Sequence, residues 1–363
     1  MSENIRRFKI ILSSLKKLSP TPPTGNYARR LTTLAYLIAG TIGSRSCQLP
    51  VIATKVIDHR LADSKIKSFS RWIANEHVSL QGYFLPFVQA LLAVLCANPI
   101  AIAIDGSVVG RNCITLMASV VYKNRAVPIC WLVVTGSKGH FKESVHMELV
   151  NQLKDIIPAT ARVVFLGDGE FDGSNLIRLI QQYGWSFVLR TSKNRVLIEQ
   201  DDPFSFRHIC PVHHEEYFWI PNVRFDQTNS PSFDAIVWHS NEYEDPVYLI
   251  TNIAPVGESL YWYRKRFKIE TMFSDKKSRG FNIHKSHLSK PERVAKLLIV
   301  TALAYIFIIY FGLLAMRDDF IKNIHRSDRC DLSLFTLGLR ALEYLLNHRK
   351  KMKPTIQLCL FSP

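Results

Sequence analysis

Acidic residues are the scarce class in this chain. Thirty Asp and Glu stand against 46 Lys and Arg, a formal charge of +16 at pH 7. An excess of that size points to a polyanionic partner. Cysteine is also sparse. The seven are irregularly spaced, odd in number and never arranged as CxxC. That excludes a secreted disulfide scaffold and fits a reducing cytoplasm. Internal repeats are absent. The opening MSENIRRFKIILSSLKK has too short an apolar run before Lys16 and Lys17 for a signal peptide. Hydrophobic residues are not lacking: at 47% they can build a real core rather than a disordered chain. With 363 residues, two or three structural units are expected.

One long apolar run needs its own decision. Leu297 to Met316 is almost wholly apolar and of membrane-spanning length, with Lys296 before it and Arg317 after. Hydropathy alone favours a transmembrane helix, and hence a single-pass protein with a basic head. Against this stand the isolation of the span, the basic charge on both sides and the soluble-enzyme pattern upstream. A helix that is hydrophobic all round also suits the centre of a large core. A core helix is therefore expected, and no membrane partner.

The stretch YRKRFKIETMFSDKK, Tyr263 to Lys277, carries the densest chemistry. Residues of an α-helix advance by about 100° each. With Tyr263 at zero, Arg266, Glu270 and Lys277 fall at roughly −60°, −20° and −40°. One aromatic, one carboxylate and two cations thus share a stripe, with Ile269, Met272 and Phe273 to its sides. An Arg–Glu pair on a solvated face would give the same spacing. Two aspartates change the balance. Ala101-Ile-Ala-Ile-Asp105-Gly-Ser and Arg162-Val-Val-Phe-Leu-Gly-Asp168-Gly each read as a buried strand delivering an acid at its end. The following glycines let a ligand approach the backbone.

Y-x2-R-x3-E-x6-K is met in full by Tyr263, Arg266, Glu270 and Lys277. It resembles the signature of the DDE transposases of bacterial insertion sequences, the IS-four group. IDGS at Asp105, LGDGEFD at Asp168, LITN at 249–252 and KPERVAKLLIVTALAY at 290–305 are similar to that family too. The likeness covers roughly residues 100–315. It implies a DNA transposase that cleaves the ends of its own element and joins them to target DNA. Asp105, Asp168 and Glu270 would be both the catalytic and the metal-binding carboxylates. Two Mg²⁺ ions, replaceable by Mn²⁺, would sit about 3.5–4 Å apart and serve the two ends of an in-line displacement. Hard oxygen ligands without thiolates suit that ion. Glu170 and Asp172 compete with Asp168. Asp168 is preferred because it stands directly at the strand end, whereas Asp172 is placed to cap the next helix.

Under the same likeness, Arg266 and Lys277 hold phosphates and Tyr263 bonds to or stacks on the terminal nucleotide. Arg190 is a further DNA contact, with Lys193 beside it. Partners are double-stranded DNA, as terminal repeats and target, and a second copy in the DNA complex. The expected setting is the bacterial cytoplasm, with the protein on DNA. The rivals are a nuclease of the same fold that cuts without joining, and a catalytically silent DNA-binding remnant.

The expected fold is α/β. Residues 1–99 form an all-helical, basic, DNA-end-binding domain, with helices at Tyr27–Gly40, Leu49–His59, Asp63–Glu76 and Leu80–Cys96. Asp63 is the expected N-cap of the third. The middle pair would make a helix-turn-helix presenting Lys65, Lys67 and Arg71. An RNase H-like core begins at 100–191 as three strands (101–107, 113–122, 126–135) followed by strand–helix alternation. A mostly β insertion fills 192–245. The core resumes at 246–320 with the Glu270 helix and the buried apolar helix, and 321–363 is a helical tail. Three minor candidates remain. His208, Cys210, His213 and His214 resemble a zinc site but lack finger spacing. Trp219 and Trp238 suit core packing or stacking on an extruded base. His140, on a glycine-rich turn, could touch DNA.

Overall fold

Six helices come first: α1 (Glu3–Leu18), α2 (Gly25–Ser44), α3 (Leu49–Thr54), α4 (Ala62–Ala74), α5 (Leu80–Tyr83) and α6 (Leu85–Leu95). The computed structural model describes residues 2–136, 141–211, 213–227, 230–318, 320–326, 331–348 and 357–361. Two helices are shorter than their apolar spacing suggests. α3 stops at Thr54 because the chain turns sharply. Asp58 accepts from Arg60 Nε at 2.7 Å and faces Lys65 Nζ at 3.3 Å, which staples the turn. The stretch 80–96 divides at Phe84 because Pro86 belongs in a first turn, not an interior. Asp63 lies in the first turn of α4, where its charge suits the helix dipole, but Leu61 is the N-cap.

Strand β1 (Ile100–Gly110), β2 (Cys113–Tyr122) and β3 (Arg125–Thr135) form an antiparallel meander of almost wholly buried residues. Helix α7 (Glu143–Ile156), strand β4 (Val163–Gly167), helix α8 (Ser174–Gln182) and strand β5 (Ser186–Arg190) follow. β4 lies parallel to β1, and β5 parallel to β4. In the stretch 192–245 the described elements are four strands and one short 3-10 turn, joined by irregular backbone. A small hairpin of β6 (Val196–Glu199) and β7 (Asp202–Ser205) precedes β8 (Tyr217–Val223) and β9 (Phe233–Trp238). β8 and β9 continue the main sheet beyond β10 (Val247–Thr251). The result is a mixed eight-stranded sheet of order β3-β2-β1-β4-β5-β10-β9-β8.

The carboxyl-terminal part is helical: α9 (Val256–Lys265), α10 (Lys268–Lys276), α11 (Pro291–Arg317) and α12 (Leu334–Asn347). α11 contains the membrane-length run, and 94% of its most apolar window is buried inside the protein. It packs against α2, α4, α12 and β3, so its apolar surface is used by the protein's own core. Two links fasten α4 and the residues after it to α11. Arg293 donates to Ser70 Oγ at 2.9 Å, and Lys296 to the Asn75 carbonyl at 2.7 Å. α1 and α12 meet as well. Arg6 of α1 donates to the Leu346 carbonyl at 2.7 Å, supplying a partner to the otherwise open end of α12.

Candidate active site

Asp105 and Asp168 are brought together by strand register. In the parallel β1–β4 ladder, Ala103 pairs with Leu166. Two residues further along both chains bring Asp105 level with Asp168, on neighbouring strands about 4.8 Å apart. β1 runs on to Gly110, so Asp105 lies within its strand rather than at its end. It stands where β1 outruns the shorter β4. Asp105 accepts the Gly106 N–H at 2.7 Å, and Asp168 accepts the Glu170 N–H at 3.1 Å. Space is tight at Gly106, after Asp105, and at Gly167, before Asp168, but open at Gly169. A Cβ on Gly106 would lie 2.8 Å from the Phe141 ring, and one on Gly167 would lie 2.9 Å from Phe171.

Glu270 comes from the first turn of α10, which packs on β1 and β3. The stripe from Tyr263 to Lys277 is not one helix. α9 ends at Lys265, Arg266–Phe267 form a tight turn, and Lys277 lies past the end of α10. Through the break the bonds shorten to i→i−3: Arg266 N–H to Tyr263 O, and Ile269 N–H to Arg266 O. Backbone angles stay right-handed, so Tyr263, Arg266 and Glu270 still face one region. Arg266 is 3% exposed and donates to Glu270 Oε1 at 3.0 Å. Its guanidinium lies 4.1 Å from the centre of the Phe267 ring.

The electrostatics tie these groups into one cluster. Burial first, then the Asp168 charge, push the Asp105 carboxyl up to about 7, with Glu270 adding to the rise while Gly106 N–H and Arg266 oppose it. Burial works against the Arg266 charge, yet Tyr263, Glu270, Asp168 and Asp105 together hold it above the ordinary arginine value. Of the three acids in the 168–172 turn, Asp168 is the one that acts on Asp105, Arg266 and Tyr263. Glu170 instead accepts the Phe141 N–H, and Asp172 accepts the Thr191 hydroxyl. Asp172 does not cap α8: Glu143 does, accepting the Asn175 and Leu176 N–H groups at 3.0 and 3.1 Å.

An all-oxygen set of three carboxylates beside one arginine has the chemistry a hard divalent ion needs. Among the described residues, no three His, Cys, Asp or Glu side chains are already closed into a coordination group. Glu270 is turned to Arg266, with half of its side chain exposed.

The DNA-contact candidates divide. Arg190 is exposed and lines a cleft of about 500 Å³ with Asp168, Thr191, Lys193, Asp245 and Tyr248. Its charge also acts on Tyr263. Tyr263 itself is fully buried, so no base can stack on its ring in this arrangement. Its hydroxyl lies near Arg266 without a geometrically formed hydrogen bond. Lys277 is partly exposed at the end of α10, its ammonium 5.9 Å from the centre of the Phe273 ring. On α4, Lys67 and Arg71 occupy the exposed face. Lys65 does not join them. It is 9% exposed and donates to the Val56 carbonyl at 2.8 Å beside Asp58, which makes it a structural lysine.

The lesser candidates also resolve. Trp238 is fully buried with Arg264 above its ring at 4.6 Å, whereas Trp219 is 48% exposed and donates to Asp234. His208, Cys210, His213 and His214 form no metal group among the described residues. His140 lies outside the described residues. Sequence reasoning missed His146, which is buried against Phe171 and beside Glu170. No local signal marks it, because its partner is 24 residues away.

Three comparisons bear on the family. The family model described as a transposase DDE domain matches residues 101–307, more than half of the chain. A cryo-EM structure of a piggyBac transposase synaptic complex with hairpin DNA aligns with a TM-score of 0.49 at 11% identity, covering 97% of this chain and 82% of that one. No curated protein sequence matches. On the strength of the family match, which spans Asp105, Asp168 and Glu270, the chain belongs to the DDE-domain transposases.

Proposed function

We propose that this chain is a DNA transposase of the IS-four type, in which Asp105, Asp168 and Glu270 carry cleavage of the element's ends and strand transfer into target DNA. The observation that carries the reading is the position of Asp105 and Asp168, each two residues beyond the last pair of the parallel β1–β4 ladder, with Asp168 and Glu270 both acting on the Asp105 carboxyl. The sheet supports it. An antiparallel meander followed by two parallel strands, in the order β3-β2-β1-β4-β5, is the RNase H-like layout. The Y-x2-R-x3-E-x6-K signature supports it from sequence. Residues 1–99 are assigned to DNA-end binding, 100–191 and 246–320 to the core, 192–245 to the insertion and 321–363 to the tail.

Asp105, Asp168 and Glu270 would hold Mg²⁺ ions, with Mn²⁺ as a substitute. When bound, these activate the attacking oxygen and neutralise the leaving one. The chain's own residues do the rest. Arg266, itself buried, orients Glu270 through its hydrogen bond and supplies fixed positive charge beside the cut. Arg190 and Lys193 give the cleft next to Asp168 its cationic wall, suited to a phosphodiester backbone. Lys277, Lys67 and Arg71 are assigned further phosphate contacts. Both element ends must be paired, which calls for a dimer on DNA in the bacterial cytoplasm.

The test is nicking of a duplex taken from the ends of the DNA element that encodes this chain, with Mg²⁺, and capture of a target plasmid. Activity should be lost in Asp105→Ala and in Glu270→Gln. Cutting without joined product would identify a nuclease instead, and cutting that survives both substitutions would remove the assignment.

A further inference from the structure

Asp105 lies within β1 and Asp168 on the turn that follows β4, and the described bonds show what holds the two in place. Glu170 lies two residues after Asp168. Its N–H donates to Asp168 Oδ1, and the Phe171 N–H donates to the Asp168 carbonyl at 3.1 Å. The Glu170 carboxylate has partners of its own on the residues before and within α7. Its Oε1 accepts the Phe141 N–H at 2.5 Å and meets His146 Nε2 at 3.4 Å. Both side chains are largely withdrawn from water, at 16% and 3% exposure. His146 is fixed in turn by its neighbours: its ring centre lies 4.7 Å from that of Phe171 and 6.4 Å from that of Phe141. Phe141 closes the circuit, because its ring lies against Gly106, the residue whose N–H bonds to Asp105.

The start of α7 therefore touches both acids through one intermediary each. Phe141 presses on the Asp105–Gly106 step, and Glu170, held by Phe141 and His146, shapes the Asp168 turn. Glu143, one turn before His146, caps α8 and secures the far end of the same loop. We propose that Glu170 and His146 are positioning residues, which with the Phe141 backbone lock the Asp168 turn in register with the Asp105 strand. This inference rests on the carboxylates being metal ligands, as proposed above. Partners of this kind, one step behind the ligands, typically change metal affinity 10–100-fold when removed.

The test uses the full chain, Mn²⁺ as the probe read by calorimetry, and hydrogen exchange of the segments 141–146 and 168–171. Glu170→Ala should weaken Mn²⁺ binding at least tenfold and speed exchange in both segments. Glu170→Gln, whose amide oxygen still accepts the Phe141 N–H, should recover most of both. If Gln fails as badly as Ala in Mn²⁺ binding while exchange stays slow, Glu170 is itself a ligand and the positioning role is overturned. Unchanged affinity and exchange in Glu170→Ala would overturn it equally. Should Glu170→Ala not fold, His146→Phe decides. It fills the same space against Phe171 without a hydrogen for Glu170, and unchanged Mn²⁺ affinity in it would sink the proposal. Asp105→Asn separates the two ideas. If wild type binds Mn²⁺ no better than Asp105→Asn, the metal assignment fails, and exchange alone then judges the brace.

Discussion

Lys276 closes the helix that carries Glu270 and is a cation in the wrong solvent. It is 1% exposed, its Nζ lacks a hydrogen-bond partner among the described residues, and burial alone pulls it from 10.5 to about 7. The folded value lies below the unfolded one, so between these limits the unfolded chain binds more protons. Stability must therefore rise with pH across that window. Worked through the linkage relation, the burden on folding is about 4 kcal/mol at pH 7 and about 2 kcal/mol at pH 9. Lys276→Met keeps the length and removes the charge. The variant should be the more stable one, by a margin that shrinks by about 2 kcal/mol between the two pH values. Urea titrations of both proteins at pH 7 and pH 9, followed by tryptophan fluorescence, measure it. Asp275 next door, raised to about 6 chiefly by burial, titrates below this window, and its contribution cancels in the difference. A margin equal at both pH values, or a Met variant less stable at pH 7, would refute the reasoning. Either result would mean that the ammonium is solvated or paired in the folded protein.

Two further outcomes follow from the contacts. Lys65→Met should lower stability by about 1–3 kcal/mol, through the lost bond to the Val56 carbonyl and the lost contact with Asp58, which keeps Arg60 as partner, and leave the salt dependence of DNA binding unchanged. Lys67→Ala or Arg71→Ala should do the reverse, each lowering the salt slope by about one in anisotropy titrations. Gly106→Ala puts a methyl group 2.8 Å from the Phe141 ring, so the ring must move off the Asp105 strand. Nicking should fall at least tenfold with a stability loss of only about 1–2 kcal/mol, and near-normal nicking would show that the contact is slack.

What could be read from the chain follows the range of the forces involved. The strand Cys113–Tyr122 and the helix from Ser174 are dictated by their own apolar periodicity, and the structure places them within a residue of expectation. Pro86 is a local breaker too, legible in principle, and it divides the helix expected over 80–96. The break at Arg266–Phe267 is different in kind, because no Gly or Pro marks it. α9 packs on β4 and β5 while α10 packs on β1 and β3, so one straight cylinder would have to follow two parts of a twisted sheet. The chain yields at the residue whose side chain turns inward to the carboxylates. Lys65 differs from expectation for a similar reason: charge pattern on a helix does not say which lysine folds back to close the preceding turn. Hydropathy likewise could not tell a core helix from a spanning one at 297–316, since only the faces of α2, α4, α12 and β3 decide what covers it.

The site shows the same division. Each acid announces itself by the apolar run or signature that delivers it, but the separate partners of 170 and 172 that favour 168 lie far away in sequence. Phe141 and His146 draw Glu170 aside, and Thr191 draws Asp172 aside. Asp168 then stands level with Asp105 because β4 is parallel to β1 in one particular register. A slip of one residue would send its carboxylate to the opposite face of the sheet. The catalytic assignment therefore depends on a buried ladder rather than on the motif's spelling. Substitutions that loosen that ladder should disable the site while leaving every signature residue in place.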